Sequence, residues 1–251
     1  MIDTHCHISC DYYSDIDNLI DKIKTSGVEC VITNGCNKKS NLEVLELVNN
    51  YDSIYGAIGL HPTELSNNVD DDLKWVDEHI NYDKIVALGE IGLDYHYPNY
   101  DKELQQYAFK KQLEIAEKYN KPVIVHSRDA IEDTYNILSQ YNVKGVIHSF
   151  SSSLEMAKKF IKLGYKIGVG GVVTFKNGKK IQEIVKNIDL KHILIETDSP
   201  YLSPEPLRGK RNEPKNVYYV AKKISEIKNL DISLVLEVTN NNAISQFDLD
   251  I

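Results

Sequence analysis

The feature that most restricts the fold of this chain is a rhythm. Short apolar, β-type runs alternate with polar loops and helical stretches along all 251 residues. The runs cover residues 1–5, 28–33, 54–59, 85–89, 122–125, 145–147, 166–169 and 193–195. Helical spacing of apolar residues falls between them. It predicts helices over 15–25, over 40–48 (capped by Ser40, with a Leu42, Leu45 and Val48 stripe) and over 70–80. Further helices are expected over 101–119 (Leu104, Ala108, Leu113 and Ala116 inward), from Asp129, and over 154–163 and 178–187. Two more, over 214–227 and 233–246, close the chain. Eight strand-type runs alternating with helices predict an α/β fold, a (β/α)8 TIM barrel forming one domain over residues 1–251. A doubly wound open sheet would carry a glycine-rich phosphate loop after its first strand. This chain has His5-Cys6-His7 there.

In such a barrel the active site lies at the carboxyl ends of the strands. Ligand-type side chains recur at those ends: His5 and His7 after the first run, Glu90 after the fourth, His126 after the fifth, His148 after the sixth and Asp198 after the eighth. Residues two apart on a strand share a side, so His5 and His7 can serve one metal. A single strand-end histidine is more often structural than ligating; a full set is hard to ascribe to chance. Six ligands exceed the need of one catalytic ion, which keeps a position open. The set therefore predicts two divalent metals, with Glu90 as the bridge. Imidazole with carboxylate suits Zn2+, Mn2+, Fe2+ or Ni2+, and Mg2+ where oxygen dominates. Two ions can activate water and neutralise a phosphate, so hydrolysis is the expected chemistry.

Formal net charge is −8, which argues against a broad nucleic-acid-coating surface. Local cations are placed differently. The only arginines are Arg128, two residues beyond His126, and Arg208 and Arg211 in the Arg208-Gly-Lys-Arg-Asn212 segment beyond Asp198. Arginine grips phosphate in bidentate fashion. His61, His96, Tyr95 and Tyr97 fall on mouth-side loops, where stacking on a base, binding phosphate or ordinary packing are all open. The four cysteines match no zinc ribbon or redox pair and are expected as reduced thiols, with Cys6 packing away from the histidines. No leader-like or membrane-spanning run occurs, and a cytoplasmic monomer is expected, or a nuclear one in a eukaryote.

The chain resembles the TatD-type metal-dependent deoxyribonucleases of the amidohydrolase superfamily. The resemblance rests on Ile2-Asp-Thr-His-Cys-His7, Gly59-Leu-His-Pro62, Gly89-Glu-Ile-Gly-Leu-Asp94 and Pro122-Val-Ile-Val-His-Ser-Arg-Asp129. It continues through Gly145-Val-Ile-His-Ser-Phe150, Gly168-Val-Gly-Gly171, Glu196-Thr-Asp-Ser-Pro-Tyr-Leu202 and Arg208-Gly-Lys-Arg-Asn-Glu-Pro214. It implies a (β/α)8 barrel with a paired divalent site and magnesium-dependent, often exonucleolytic, hydrolysis of DNA at single-stranded or frayed ends. It implies His5, His7, Glu90, His126, His148 and Asp198 as metal ligands, with Asp198 also orienting or deprotonating the attacking water. Family members are linked to DNA repair and to DNA fragmentation in cell death. Ser149 and Ser152 stand where the family often has Cys and Gly, and Leu207 where a histidine is common. These departures touch no ligand and bear on substrate preference.

Two other readings compete. A related amidohydrolase of a small ester, amide or lactone would often bridge its metals with a carboxylated lysine on the fourth strand, where this chain has Glu90. A barrel that binds partners without catalysis would show a broken ligand set, and this set is intact.

Overall fold

A computed structural model describes all residues, Met1–Ile251. The strands are β1 (Ile2–Cys6), β2 (Cys30–Asn34), β3 (Ile54–Ile58), β4 (Ile85–Asp94), β5 (Val123–Arg128), β6 (Gly145–Ile147), β7 (Lys166–Val169) and β8 (Ile193–Ile195). They follow one another in one eight-stranded sheet in the order β1 to β8, with parallel pairing of β1 with β2, β3 with β4, β4 with β5, β5 with β6 and β7 with β8. The helices are α1 (Ile16–Thr25), α2 (Lys38–Asn50), α3 (Val69–His79), α4 (Lys102–Tyr119), α5 (Ile131–Leu138), α6 (Leu154–Lys162), α7 (Lys179–Asn187), α8 (Val217–Lys228) and α9 (Ile232–Phe247). The fold is the expected (β/α)8 barrel. β1 to β4 are buried at every residue, as parallel strands covered on both faces must be.

The chain divides into two compact units, residues 1–33 with 149–251, and residues 34–148. In the first, β8 and β1 carry α9, whose buried Val235, Ala243 and Phe247 join Ile193 and Ile195 in the core. In the second, the ten-residue β4 pairs with β3 on one side and β5 on the other, and α4 packs against it through Ala108, Phe109, Leu113 and Ala116. Asp15, Asn37, Asp101, Ser153 and Asp231 cap α1, α2, α4, α6 and α9 by accepting hydrogen bonds from first-turn N–H groups.

Four local expectations are corrected. Ser40 does not cap α2. Asn37 does, and Ser40 completes a reciprocal capping box three residues on. Leu42 is 46% exposed, because the buried stripe of α2 runs through Asn41, Val44, Leu45 and Val48. Asp129 does not start α5. It takes a left-handed φ of 53°, and α5 begins at Ile131. β4 does not stop at Gly89 but runs on to Asp94, so Glu90 lies within a strand.

Candidate metal centre

Within the first unit, three expected ligands meet. His5 is fully buried on β1, and His7 follows the strand end. Their Nε2 atoms lie 3.2 Å apart, and each is 3.6 Å from Asp198 Oδ1. Nitrogen and oxygen ligands about 2.0–2.2 Å from a shared ion stand about 3.0–3.6 Å from one another. The donor set and its spacing therefore fit a divalent metal.

Asp3 holds this cluster together. It is buried, and its Oδ1 accepts from the Thr197 N–H at 2.9 Å while its Oδ2 accepts from the Thr197 hydroxyl at 2.6 Å. Burial pushes the Asp3 carboxyl well above the usual range, against the pull of those hydrogen bonds. Asp198 itself sits at a left-handed φ of 54° and donates its N–H to the His5 carbonyl at 2.9 Å. The Asn212 amide donates to the carbonyls of Thr197 and Tyr201, which ties the cationic segment to the Asp198 turn. Glu196 accepts from the Ser149 N–H at 2.5 Å, one residue beyond His148.

Within the second unit, Glu90 is the hub. Its Oε1 lies 2.9 Å from His126 Nδ1, 3.0 Å from His148 Nε2 and 3.6 Å from His61 Nε2. His61, Glu90 and His126 form a group able to hold a metal. His61, expected as a substrate contact, thus stands in the ligand cluster. His126 presents its other nitrogen, Nε2, to Asp94 Oδ2 at 3.1 Å. Burial disfavours the His126 cation, but the two carboxylates outweigh it and raise the imidazole above its ordinary value. Burial likewise pushes Asp94 up, yet hydrogen bonds from His126 and the His96 N–H, with Arg128 nearby, leave its carboxyl below the usual range.

The remaining expected substrate residues stand outside the two ligand groups. His96 Nδ1 pairs with Asp129 at 2.8 Å on the surface. Arg128 lies 5.5 Å from the Tyr97 ring centroid. Arg208 sits 3.8 Å over Phe175, and Arg211 donates to the Tyr12 carbonyl beside the Tyr13 ring. The residues that sequence reasoning passed over are Asp3, Asp94, Glu196 and Asn212. Asp94 had a signal, since Glu90 and Asp94 are four apart and share a face once β4 is read through Gly92.

Histidines and carboxylates clustered within each unit of a (β/α)8 barrel are donors of the kind that metal-dependent hydrolases use. Residues 2–248 match the family described as TatD related DNase. The chain is 40% identical over 247 residues to YabD of Bacillus subtilis, an uncharacterized metal-dependent hydrolase, covering 97% of each chain. It is 35% identical over 257 residues to YcfH of Escherichia coli K12, another uncharacterized metal-dependent hydrolase, covering 100% of this chain and 96% of that one. The crystal structure of YjjV, a TatD homologue from Escherichia coli K12, superposes with a TM-score of 0.93 at 31% identity, covering 100% of this chain and 98% of that one. The chain belongs to the TatD-related DNase family and is a metal-dependent hydrolase.

Proposed function

We propose that this protein is a deoxyribonuclease that removes nucleotides from single-stranded or frayed DNA ends at a two-metal site. The observation that supports it is the presence of two ligand groups, His5, His7 and Asp198 in one and Glu90, His61, His126 and His148 in the other. Each stems from the carboxyl half of a barrel strand or the loop beyond it, where enzymes of this fold carry their active sites. Glu90, with three histidine nitrogens around one oxygen, would hold a divalent ion through that carboxylate. When bound, divalent ions, Mg2+ in function and Mn2+ or Zn2+ as substitutes, would lower the pKa of water and screen the phosphate charge.

The residues of the chain supply the rest. Asp198 orients the attacking water and accepts its proton. Asp94 holds His126 so that Nδ1 faces the Glu90 side. Arg128, Arg208 and Arg211 offer positive charge for the backbone of the DNA, and His96 a further polar contact.

The test is digestion of end-labelled single-stranded DNA with Mg2+ or Mn2+, run beside EDTA and Asp198→Ala controls. Stepwise shortening lost in both controls is expected. Intact DNA, with metal shown to be bound, would transfer the assignment to hydrolysis of a small ester, amide or lactone.

A further inference from the structure

A cavity of about 280 Å3 opens in the second unit between Pro62, Thr63 and Leu65, beyond β3, and the segment from Tyr97 to Asp101, beyond β4. Its size lies just below the roughly 300–1,000 Å3 of pockets that enclose drug-sized ligands, which suits a single heteroaromatic ring system. Its lining is mixed: Pro62, Leu65, Tyr97, Tyr100 and Leu104 supply apolar and aromatic surface, and polar side chains supply the rest. Tyr97 and Tyr100 are 52% and 40% exposed, so their rings are accessible.

The cavity borders the metal centre. Asp94 lines it, and the same carboxylate faces His126 Nε2 at 3.1 Å, while His126 Nδ1 lies 2.9 Å from Glu90. Asp94 and Gln105 on that wall are already engaged. Asp94 Oδ1 accepts the His96 N–H, and the Gln105 amide bonds both the N–H and the carbonyl of Asp94. Such a wall favours stacking over hydrogen-bonded readout. The aromatic wall is held in advance of any ligand. Tyr100 stacks on Tyr95 at 4.7 Å with rings 12° apart. The Tyr95 hydroxyl donates to Asp133 at 3.0 Å, and Lys102 pairs with Asp133 at 2.7 Å. Arg128, outside the lining itself, lies 5.5 Å from the Tyr97 centroid, placing a cation beside that ring.

We infer that this cavity is a nucleobase pocket, which takes the terminal base of the DNA by stacking against Tyr97 and Tyr100 while Arg128 meets an adjoining phosphate. The inference rests on the nuclease reading for its substrate class. Stacking on aromatic side chains tolerates every base, so the pocket distinguishes a base from no base and not one base from another.

The test is binding of dAMP and of 2-deoxyribose 5-phosphate, which share a phosphate and differ by the base, followed by calorimetry with Mg2+ present. Wild-type protein is expected to bind dAMP at least about tenfold more tightly. Tyr97→Ala should remove most of that preference and Tyr97→Phe should keep it, with thermal unfolding confirming that both variants are folded. Absence of dAMP binding, equal affinity for the two ligands, or an unchanged preference in Tyr97→Ala would overturn the pocket. The DNA digestion assay separates the two readings. A base preference without DNA cleavage retains the pocket and removes the nuclease, and DNA cleavage without a base preference does the reverse.

Discussion

His126 shows how one side chain's orientation is set by its neighbours. A neutral imidazole has one donor and one acceptor nitrogen. Here Asp94 takes the Nε2 side, which leaves Nδ1 directed to Glu90. Carboxylates behind ligating histidines fix ring orientation and raise ligand basicity. Asp94→Ala should therefore weaken metal binding about 10–100-fold while the protein stays folded. Calorimetric titration with Mn2+ measures it, and unchanged affinity would remove Asp94 from this role. Asp3 acts alike in the other unit, through Thr197, on the turn that carries Asp198.

At the level of elements, buried amides on helices clamp strand ends. Asn41 of α2 bonds both the N–H and the carbonyl of Gly59. Gln112 of α4 does the same at Leu60, and Gln105 at Asp94. Each amide satisfies backbone groups where a strand leaves the sheet and the ladder can no longer do so. Gln112→Leu would strand the Leu60 groups and should cost about 1–3 kcal/mol of stability, measured by urea unfolding. A cost near zero would mean that water replaces the amide. Gly92 has a second constraint. It adopts a φ of 140°, and a Cβ there would come within 2.0 Å of the His126 carbonyl oxygen. The close approach of β4 and β5 that sets His126 beside Glu90 and Asp94 needs a residue without a side chain.

For the whole molecule, metal binding and folding are linked. An ion that binds only the folded state adds about 2.7 kcal/mol at a hundred times its Kd. The Tm should rise with added Mn2+, fall back with EDTA, and respond much less in Glu90→Ala; a Tm indifferent to metal in the wild type would contradict the proposed centre. Far from the ligands, burial, with Lys166 and Lys191 nearby and only Asp189 opposing, lowers the pKa of His192. The folded state thus binds this proton less readily than the unfolded chain, and the stability tied to His192 is lost as pH falls below about 6.5. His192→Gln should gain stability relative to wild type at pH 5 and show no such gain at pH 8, measured by denaturant unfolding at both. No helix is long and apolar enough to cross a membrane. The sequence by itself determined the alternation of strands and helices, and hence the barrel, because hydrophobic periodicity is local and repeats along the chain. It also marked the ligand-type residues at strand ends, since the parallel topology puts functional groups there. Only the tertiary structure decided that β4 carries Glu90 and Asp94 on one face, that His61 turns to Glu90, and that Asn41 displaces Leu42 from the buried stripe. These depend on which backbone groups need a partner once remote segments meet, and no local period records that need.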